Sequence, residues 1–142
     1  MRTVLPAALA LSALFLLACA SPPEADRAID WAEADDHWSI HIVTVDPDGG
    51  ERVTQIWLAL EGGQRVLRTG DSRWWANLER TSECVLRMGG LDYSMRSQTV
   101  DLAEERERID RAFVEKYGWI ERRMFPQEAG STHENYARLI PR

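Results

Sequence analysis

The chain has 142 residues, of which 44% are hydrophobic, a size and composition that fit one domain with a buried core. Acidic residues outnumber basic ones by 23 to 17, and the formal net charge is −6 at pH 7. An acidic protein is a poor partner for nucleic acid, because phosphates select basic surfaces. The predicted partners therefore exclude nucleic acid.

The first predicted element is a targeting segment. Arg2 precedes an apolar run over residues 4–18, which is too short for a membrane span and matches the charged and apolar regions of a secretory signal. The end of this run resembles the lipobox of bacterial lipoproteins, Leu16-Leu17-Ala18-Cys19. That resemblance implies a diacylated Cys19 at the new N-terminus. Ordinary signal cleavage at the small residues that flank Cys19 is the alternative.

The domain organisation follows from this N-terminus. Residues 1–18 are predicted to be the signal peptide, residues 19–23 a short tether, and residues 24–142 a single domain. The lipoprotein resemblance implies a protein outside the cytoplasm, anchored in a bacterial lipid bilayer by its acyl chains and facing the periplasm if the host has an outer membrane. Cys84 lies in an apolar run, which predicts a buried, inert thiol.

The domain is predicted to be mainly β. Short stretches of alternating apolar residues are separated by turn signals, many of them rich in glycine, which permits a positive φ. Several short strands joined in this way predict a barrel or a sandwich. The six predicted strands cover residues 39–45, 52–60, 65–69, 84–88, 91–100 and 136–140, with Ile56, Leu58 and Leu60 facing inward in the second.

Helices are predicted to flank the strands, over residues 24–36, after Ser72 and over residues 101–117. The last helix starts with a capping-box-like sequence and ends at Gly118, because glycine favours helix termination. Its opposite face, residues 104–108, is a mixed charge run that predicts a solvated surface. Its apolar stripe predicts burial of Leu102, Ile109 and Phe113.

The segment from residue 65 to residue 78 carries the candidate site. A strand ends near Arg68, turns on Gly70 and Asp71, and continues as a helix that Ser72 can cap. Backbone N–H groups at the start of a helix, with arginines beside them, are able to hold a phosphate. The alternative interpretation is an ordinary strand-to-helix connection with solvated arginines.

Several motifs agree in order and spacing with split β-barrel flavin and deazaflavin proteins. They are Gln55-Ile56-Trp57, Arg68-Thr69-Gly70 followed by Ser72 and Trp75, Lys116-Tyr117-Gly118, and Arg138-Leu139-Ile140-Pro141. The chain from residue 31 to residue 142 resembles an uncharacterised branch of that superfamily, whose members include pyridoxamine-phosphate-oxidase-like and deazaflavin-dependent nitroreductase-like proteins. The resemblance implies a single split β-barrel domain of about six strands with flanking helices.

The resemblance also implies a cofactor site and an activity. Trp57 would stack on the planar ring of FMN, and Arg52 would reach an anionic group. The phosphate side would meet Arg68, Thr69, Ser72 and Trp75. The implied protein is an FMN-dependent oxidoreductase of unknown substrate with no identified catalytic residue. A homodimer is implied as well, since related proteins often hold the flavin at a two-fold interface.

Two features favour an alternative, a cofactor-free binding or interaction domain on the same fold. The loop at residues 46–51 is acidic where deazaflavin-dependent relatives are usually basic, and like charges repel by about 1 kcal/mol per close pair near a surface. Arg2 has no twin-arginine partner, so the chain is expected to cross the membrane unfolded and to meet a flavin only outside. Deazaflavin is therefore the less favoured cofactor. An FMN-binding protein and a cofactor-free barrel both remain as hypotheses.

Other chemistries lack their residue patterns. The sequence contains no nucleophile elbow, zinc-protease motif or P-loop, so a hydrolase has no visible nucleophile. The three histidines have no metal-ligand spacing. No metal site is predicted.

Overall fold

The computed structural model describes residues 22–25, 28–31, 40–124 and 133–142. Its strands are β1 (Ile40–Val45), β2 (Glu51–Ile56), β3 (Ala59–Glu61), β4 (Gln64–Thr69), β5 (Glu83–Met88), β6 (Leu91–Thr99) and β7 (Asn135–Pro141). Its helices are α1 (Arg73–Thr81) and α2 (Ala103–Met124). The predicted signal peptide and the predicted lipidation at Cys19 lie outside the described residues.

All seven strands form one antiparallel sheet in the order β2-β1-β5-β6-β7-β4-β3. β2 and β3 lie at opposite edges of this sheet, although only Trp57 and Leu58 separate them in the chain. The sheet must therefore curl until its two edges approach each other, which gives the half-open barrel of a split β-barrel. The predicted fold class, a mainly β single domain with flanking helices, is confirmed.

The strand predicted over residues 52–60 is two strands, so the sheet formed by the described residues has seven strands rather than about six. The chain leaves the ladder at Leu58, whose carbonyl accepts hydrogen bonds from Lys116 Nζ at 3.0 Å and Tyr117 Oη at 2.8 Å. Leu60, predicted to face inward, is only partly buried. The other five predicted strands are confirmed to within one residue at each end.

The hydrophobic core has two clusters of buried side chains. One cluster includes the apolar residues of α1 and the centre of β5, such as Leu86, and the other lies against α2. β4 contributes Leu67 to the first cluster and Val66 to the second, because successive residues of a strand face opposite sides. In the second cluster Ile109 and Phe113 are buried, as predicted.

α2 extends beyond its predicted end. Gly118 does not terminate the helix but lies buried inside it, and the helix continues to Met124. A Cβ atom at this position would lie 3.3 Å from side-chain atoms of both Val114 and Arg122, so a larger residue would require these two side chains to shift slightly. Among the helices in the described ranges, none combines the length and apolar character that crossing a bilayer requires.

The first turn of α2 also differs from its prediction. Leu102 is 70% exposed rather than buried, because it precedes the helix and does not belong to its stripe. Arg106, in the predicted solvated charge run, is only partly exposed. Its Nε donates to the Val100 carbonyl at 2.8 Å, and its guanidinium lies 5.2 Å from the centre of the Tyr136 ring.

The helix predicted over residues 24–36 is absent at the described positions 24–25 and 28–30, whereas Trp31 is helical. Glu24 instead forms a parallel bridge with Asp92, and the Ala25 N–H donates to the Asp92 carbonyl at 2.7 Å. These backbone bonds to β6 replace the hydrogen bonds that a helix would make. Residues 26–27 and 32–36 of the prediction lie outside the described ranges.

Cys84 is buried in the first core cluster, as predicted. Burial raises the pKa of its thiol to about 12, because a thiolate there would lose its hydration. The side chain therefore stays a thiol at neutral pH.

We expect Cys84 to resist alkylation by iodoacetamide at about pH 8 in the folded protein, because the thiolate is the reactive form. Denaturation in urea should expose the thiol and make it react readily. Peptide mass spectrometry after timed incubations measures the modified fraction at this position. Equal alkylation rates in the folded and unfolded protein would contradict the burial of Cys84.

Candidate functional site

A cavity of about 380 Å³ lies where β4 ends and α1 begins. Three aromatic side chains line it, contributed by the β2–β3 connection, α1 and α2. Its charged lining groups are one arginine of β4 and one glutamate of α2. The complete lining is Gln55, Ile56, Trp57, Arg68, Thr69, Gly70, Trp74, Phe113, Glu121 and His133.

The local sequence builds one wall of this cavity. β4 ends at Thr69, Gly70 and Asp71 form the connection, and α1 begins at Arg73. Ser72 caps the helix: its φ of −150° is extended, and its Oγ accepts the Trp75 N–H at 3.3 Å. The predicted order of strand, glycine turn and capped helix is confirmed.

Arg68 is fixed by contacts within the chain. Its side chain is only 3% exposed, and its Nη1 donates to Asp110 Oδ1 at 2.8 Å. Its Nη2 donates to Glu121 Oε1, and its guanidinium lies 4.6 Å from the centre of the Phe113 ring. The Tyr136 hydroxyl donates to the same aspartate at 2.9 Å. The interpretation with solvated arginines is therefore wrong for Arg68, although Arg73 is exposed.

The tryptophans divide between the cavity and the core. Trp57 lines the cavity and stacks on Tyr117, with ring centres 4.7 Å apart and planes at 19°. Trp75, a predicted site residue, is buried in the first core cluster and is not among the lining residues. Its neighbour Trp74 lines the cavity instead, and the two indoles meet edge to face at 6.2 Å.

Of the predicted site residues, the structure brings Trp57, Arg68 and Thr69 to the cavity. Ser72 serves as the helix cap, and Trp75 serves the core. Sequence reasoning missed the lining side chains contributed by α2. Phe113 and Glu121 line the cavity, and Tyr117, midway between them, stacks on Trp57. The three residues are spaced at intervals of four, the spacing of one helix face. That signal was available, but the predicted end at Gly118 removed Glu121 from the helix.

Arg52 lies apart from the cavity. Its guanidinium binds both carboxylate oxygens of Asp46, at 2.9 and 2.7 Å. Both residues line a separate hollow of about 440 Å³ between the β1–β2 turn and α1. Asn77, on the facing side of α1, also donates to this carboxylate at 2.7 Å. Arg52 and Trp57 are therefore not parts of one lining surface.

The Asp46 carboxyl has a pKa of about 2, lowered mainly by the hydrogen bonds from Arg52 and then by that from Asn77. A depressed pKa in the folded state stabilises the fold above the unfolded value of 3.8, and this contribution is lost as the pH falls towards 2. Asp46→Asn should therefore reduce the loss of stability between about pH 4 and pH 2. Urea unfolding of both proteins at several pH values between about 4 and 2 measures this change in the free energy of unfolding.

Asp48→Asn is the matched control, because Asp48 lies in the same turn and accepts the Gly50 N–H, whereas the hydrogen bonds of Arg52 go to Asp46. It should keep the wild-type acid dependence. If Asp46→Asn kept that dependence in full, the bidentate pair would not be formed in solution.

The sequence matches no protein-family model and no curated protein. The fold matches solved structures. A conserved hypothetical protein from Mycobacterium tuberculosis aligns with a TM-score of 0.59 at 20% identity, covering 84% of this chain and 85% of that one. The heme storage protein HutZ from Vibrio cholerae aligns with a TM-score of 0.60 at 15% identity, covering 79% of this chain and 87% of HutZ. An FAD-binding protein from Mesorhizobium loti aligns with a TM-score of 0.56 at 11% identity, covering 78% of this chain and 86% of that one.

Further matches with a TM-score of 0.53 are an F420-H2-dependent reductase and a domain-swapped dimer. At these identities the likeness shows a shared fold. The chain has the fold of the split β-barrel proteins, and the structures that share it include an FAD-binding protein, an F420-H2-dependent reductase and a heme storage protein. The predicted resemblance is confirmed at the level of the fold.

Proposed function

We propose that the cavity beside Trp57 and Trp74 binds a flavin ring and that the protein is a flavin-dependent oxidoreductase. The carrying observation is an aromatic-lined cavity of about 380 Å³ on a fold shared with an FAD-binding protein and an F420-H2-dependent reductase. A concave, mostly apolar site with a few polar groups is the usual form of a cofactor pocket. A bound flavin would supply the redox chemistry, and the protein would fix its pose.

The chain holds one aromatic wall in place before any ligand binds. One face of Trp57 is covered by Tyr117, whose hydroxyl is itself bound to the Leu58 carbonyl. A fixed side chain loses little conformational entropy on binding, which favours affinity. Gln55 and Thr69, both on the cavity wall, provide polar groups for the edge of a ring.

A second candidate function is a cofactor-free binding or interaction domain. The specific observation in its favour is that Arg68, the cation predicted to meet the FMN phosphate, already binds Asp110 and Glu121. The acidic β1–β2 turn, on which the expectation against deazaflavin rested, lines the separate hollow with Arg52 and not this cavity. The case for the second candidate therefore depends on Arg68.

Titration of the purified protein with FMN and riboflavin separates the two candidates. Flavin fluorescence and absorbance report binding directly, and the flavin proposal predicts saturable quenching with a dissociation constant well below about 1 mM. Binding of both flavins weaker than about 1 mM, which corresponds to −4 kcal/mol, would remove the flavoenzyme proposal and leave the cofactor-free domain.

We further propose that the protein is an envelope lipoprotein anchored through Cys19. The support is the lipobox-like sequence Leu16-Leu17-Ala18-Cys19 after an apolar run. Labelling cells with radioactive palmitate tests it: the wild-type chain should carry the label, and Cys19→Ser should lose it. Label retained on Cys19→Ser would contradict the anchor.

A homodimer is the proposed assembly for the flavin-bound protein. One structure that shares the fold is a domain-swapped dimer. Sedimentation equilibrium with and without flavin measures the mass. A monomer in both states would contradict this assembly and would favour the cofactor-free candidate.

A further inference from the structure

The charged side chains at the cavity carry a net negative formal charge. Arg68 and Glu121 line it, and Asp110 lies behind Arg68 at hydrogen-bond distance. One guanidinium and two carboxylates leave this cluster with a formal charge of −1. The Arg68 side chain is 3% exposed, so its ion pairs with the two carboxylates lie away from bulk water. Dissolved salt therefore screens these charges only weakly.

A phosphate has no free cation to meet in this cluster. It would bring a charge of about −1.5 to −2 to a wall that is already negative. To reach Arg68 it would have to displace Glu121, and a displaced carboxylate would stay beside it, since Glu121 lines the same cavity. The N-terminus of α1 offsets only about half of one negative charge. Arg73, the first residue of α1, is exposed and lines the separate hollow rather than this cavity. The charges that line the cavity therefore oppose a phosphorylated ligand.

The same features suit a ring without a phosphate. Aromatic side chains accept planar rings, and their electron-rich faces attract cations. Phe113 already takes part in such a contact with Arg68. A carboxylate beside aromatic walls adds further attraction for a positively charged ring.

We propose that this cavity selects planar ring ligands that carry no phosphate, neutral or cationic, and that Glu121 is the specificity-determining residue. The inference rests on the proposed ring-binding site and reverses the role first expected of Arg68. Riboflavin and FMN share one ring system and differ only in the phosphate. The cavity should therefore bind riboflavin more tightly than FMN.

Three probes with similar rings test the selection on the wild-type protein: FMN, riboflavin and the planar acridinium cation of proflavine. The titrations are made at low ionic strength and at about pH 8. This pH lies above the ordinary imidazole pKa of about 6.5, which matters because His133 also lines the cavity. We expect riboflavin to bind at least about threefold more tightly than FMN, and proflavine to bind at least as tightly as riboflavin. Added salt should narrow the difference between the two flavins.

The outcomes distinguish this inference from the proposed function. FMN binding as tightly as riboflavin, or more tightly, would overturn the inference while supporting a flavin site. Proflavine binding alone would support the inference and remove the flavin proposal. No binding of any of the three probes would overturn both.

The variant Glu121→Gln tests whether Glu121 is responsible for the preference for riboflavin over FMN. This variant removes one negative charge and leaves Arg68 paired with Asp110, so the ratio of riboflavin to FMN affinity should fall at least about threefold. Glu107→Gln, an exposed position on the same helix, makes the same chemical change away from the cavity and should keep the wild-type ratio. An unchanged ratio in Glu121→Gln would overturn the role given to Glu121.

Discussion

Replacing Arg68 with alanine should lower the free energy of unfolding by about 3–5 kcal/mol, the range expected when one partner of a buried ion pair is removed. The substitution leaves Asp110 and Glu121 without their common cation. It also removes the contact of the guanidinium with the Phe113 ring. Urea unfolding followed by tryptophan fluorescence measures the change.

The control for this substitution is Arg111→Ala, an exposed arginine on α2, which should change stability by less than about 0.5 kcal/mol. A triple variant with Arg68→Met, Asp110→Asn and Glu121→Gln removes all three charges and should regain part of the loss. A loss of under about 1 kcal/mol in Arg68→Ala would show that the guanidinium is solvated, against the structure.

Trp57→Ala should weaken riboflavin binding about tenfold, because stacking on an aromatic wall contributes on the order of 1–3 kcal/mol and 1.4 kcal/mol is a factor of ten. The variant also loses the stack on Tyr117, so its thermal unfolding must be followed in parallel. Fluorescence titration of folded samples gives the affinity. Trp57→Phe keeps an aromatic face and should recover most of it.

Trp119→Ala is the matched control, since Trp119 lies on α2, is largely exposed and is not among the residues that line the cavity. It should bind riboflavin like the wild type. If Trp57→Ala and Trp119→Ala bound equally well, the ring would not be stacked where we propose.

The sequence predicted the sheet well because its strands are short and their ends are marked by local signals. Alternating apolar residues and glycine turns act over a few residues, and five strands are placed to within one residue. The Ser72 cap is equally local and is confirmed. The crossing at Leu58 escaped prediction because its cause is distant in sequence: the carbonyl binds Lys116 and Tyr117.

The candidate site was only partly predictable for the same reason. Its position at the end of β4 follows from a local strand, turn and helix pattern. The partners of Arg68 are separated from it by 42 and 53 residues, and no pattern in the sequence pairs them. Gly118 misled the prediction, because the helix continues through this glycine to Met124. That error removed Glu121 from the face that lines the cavity.

The most direct test of the account is a crystal structure of the protein with riboflavin. We predict the ring in the cavity at the end of β4, in contact with Trp57 and Trp74, with Arg68 still bound to Asp110 and Glu121. A flavin held elsewhere, or a flavin phosphate bound directly to Arg68 in a parallel FMN complex, would contradict it.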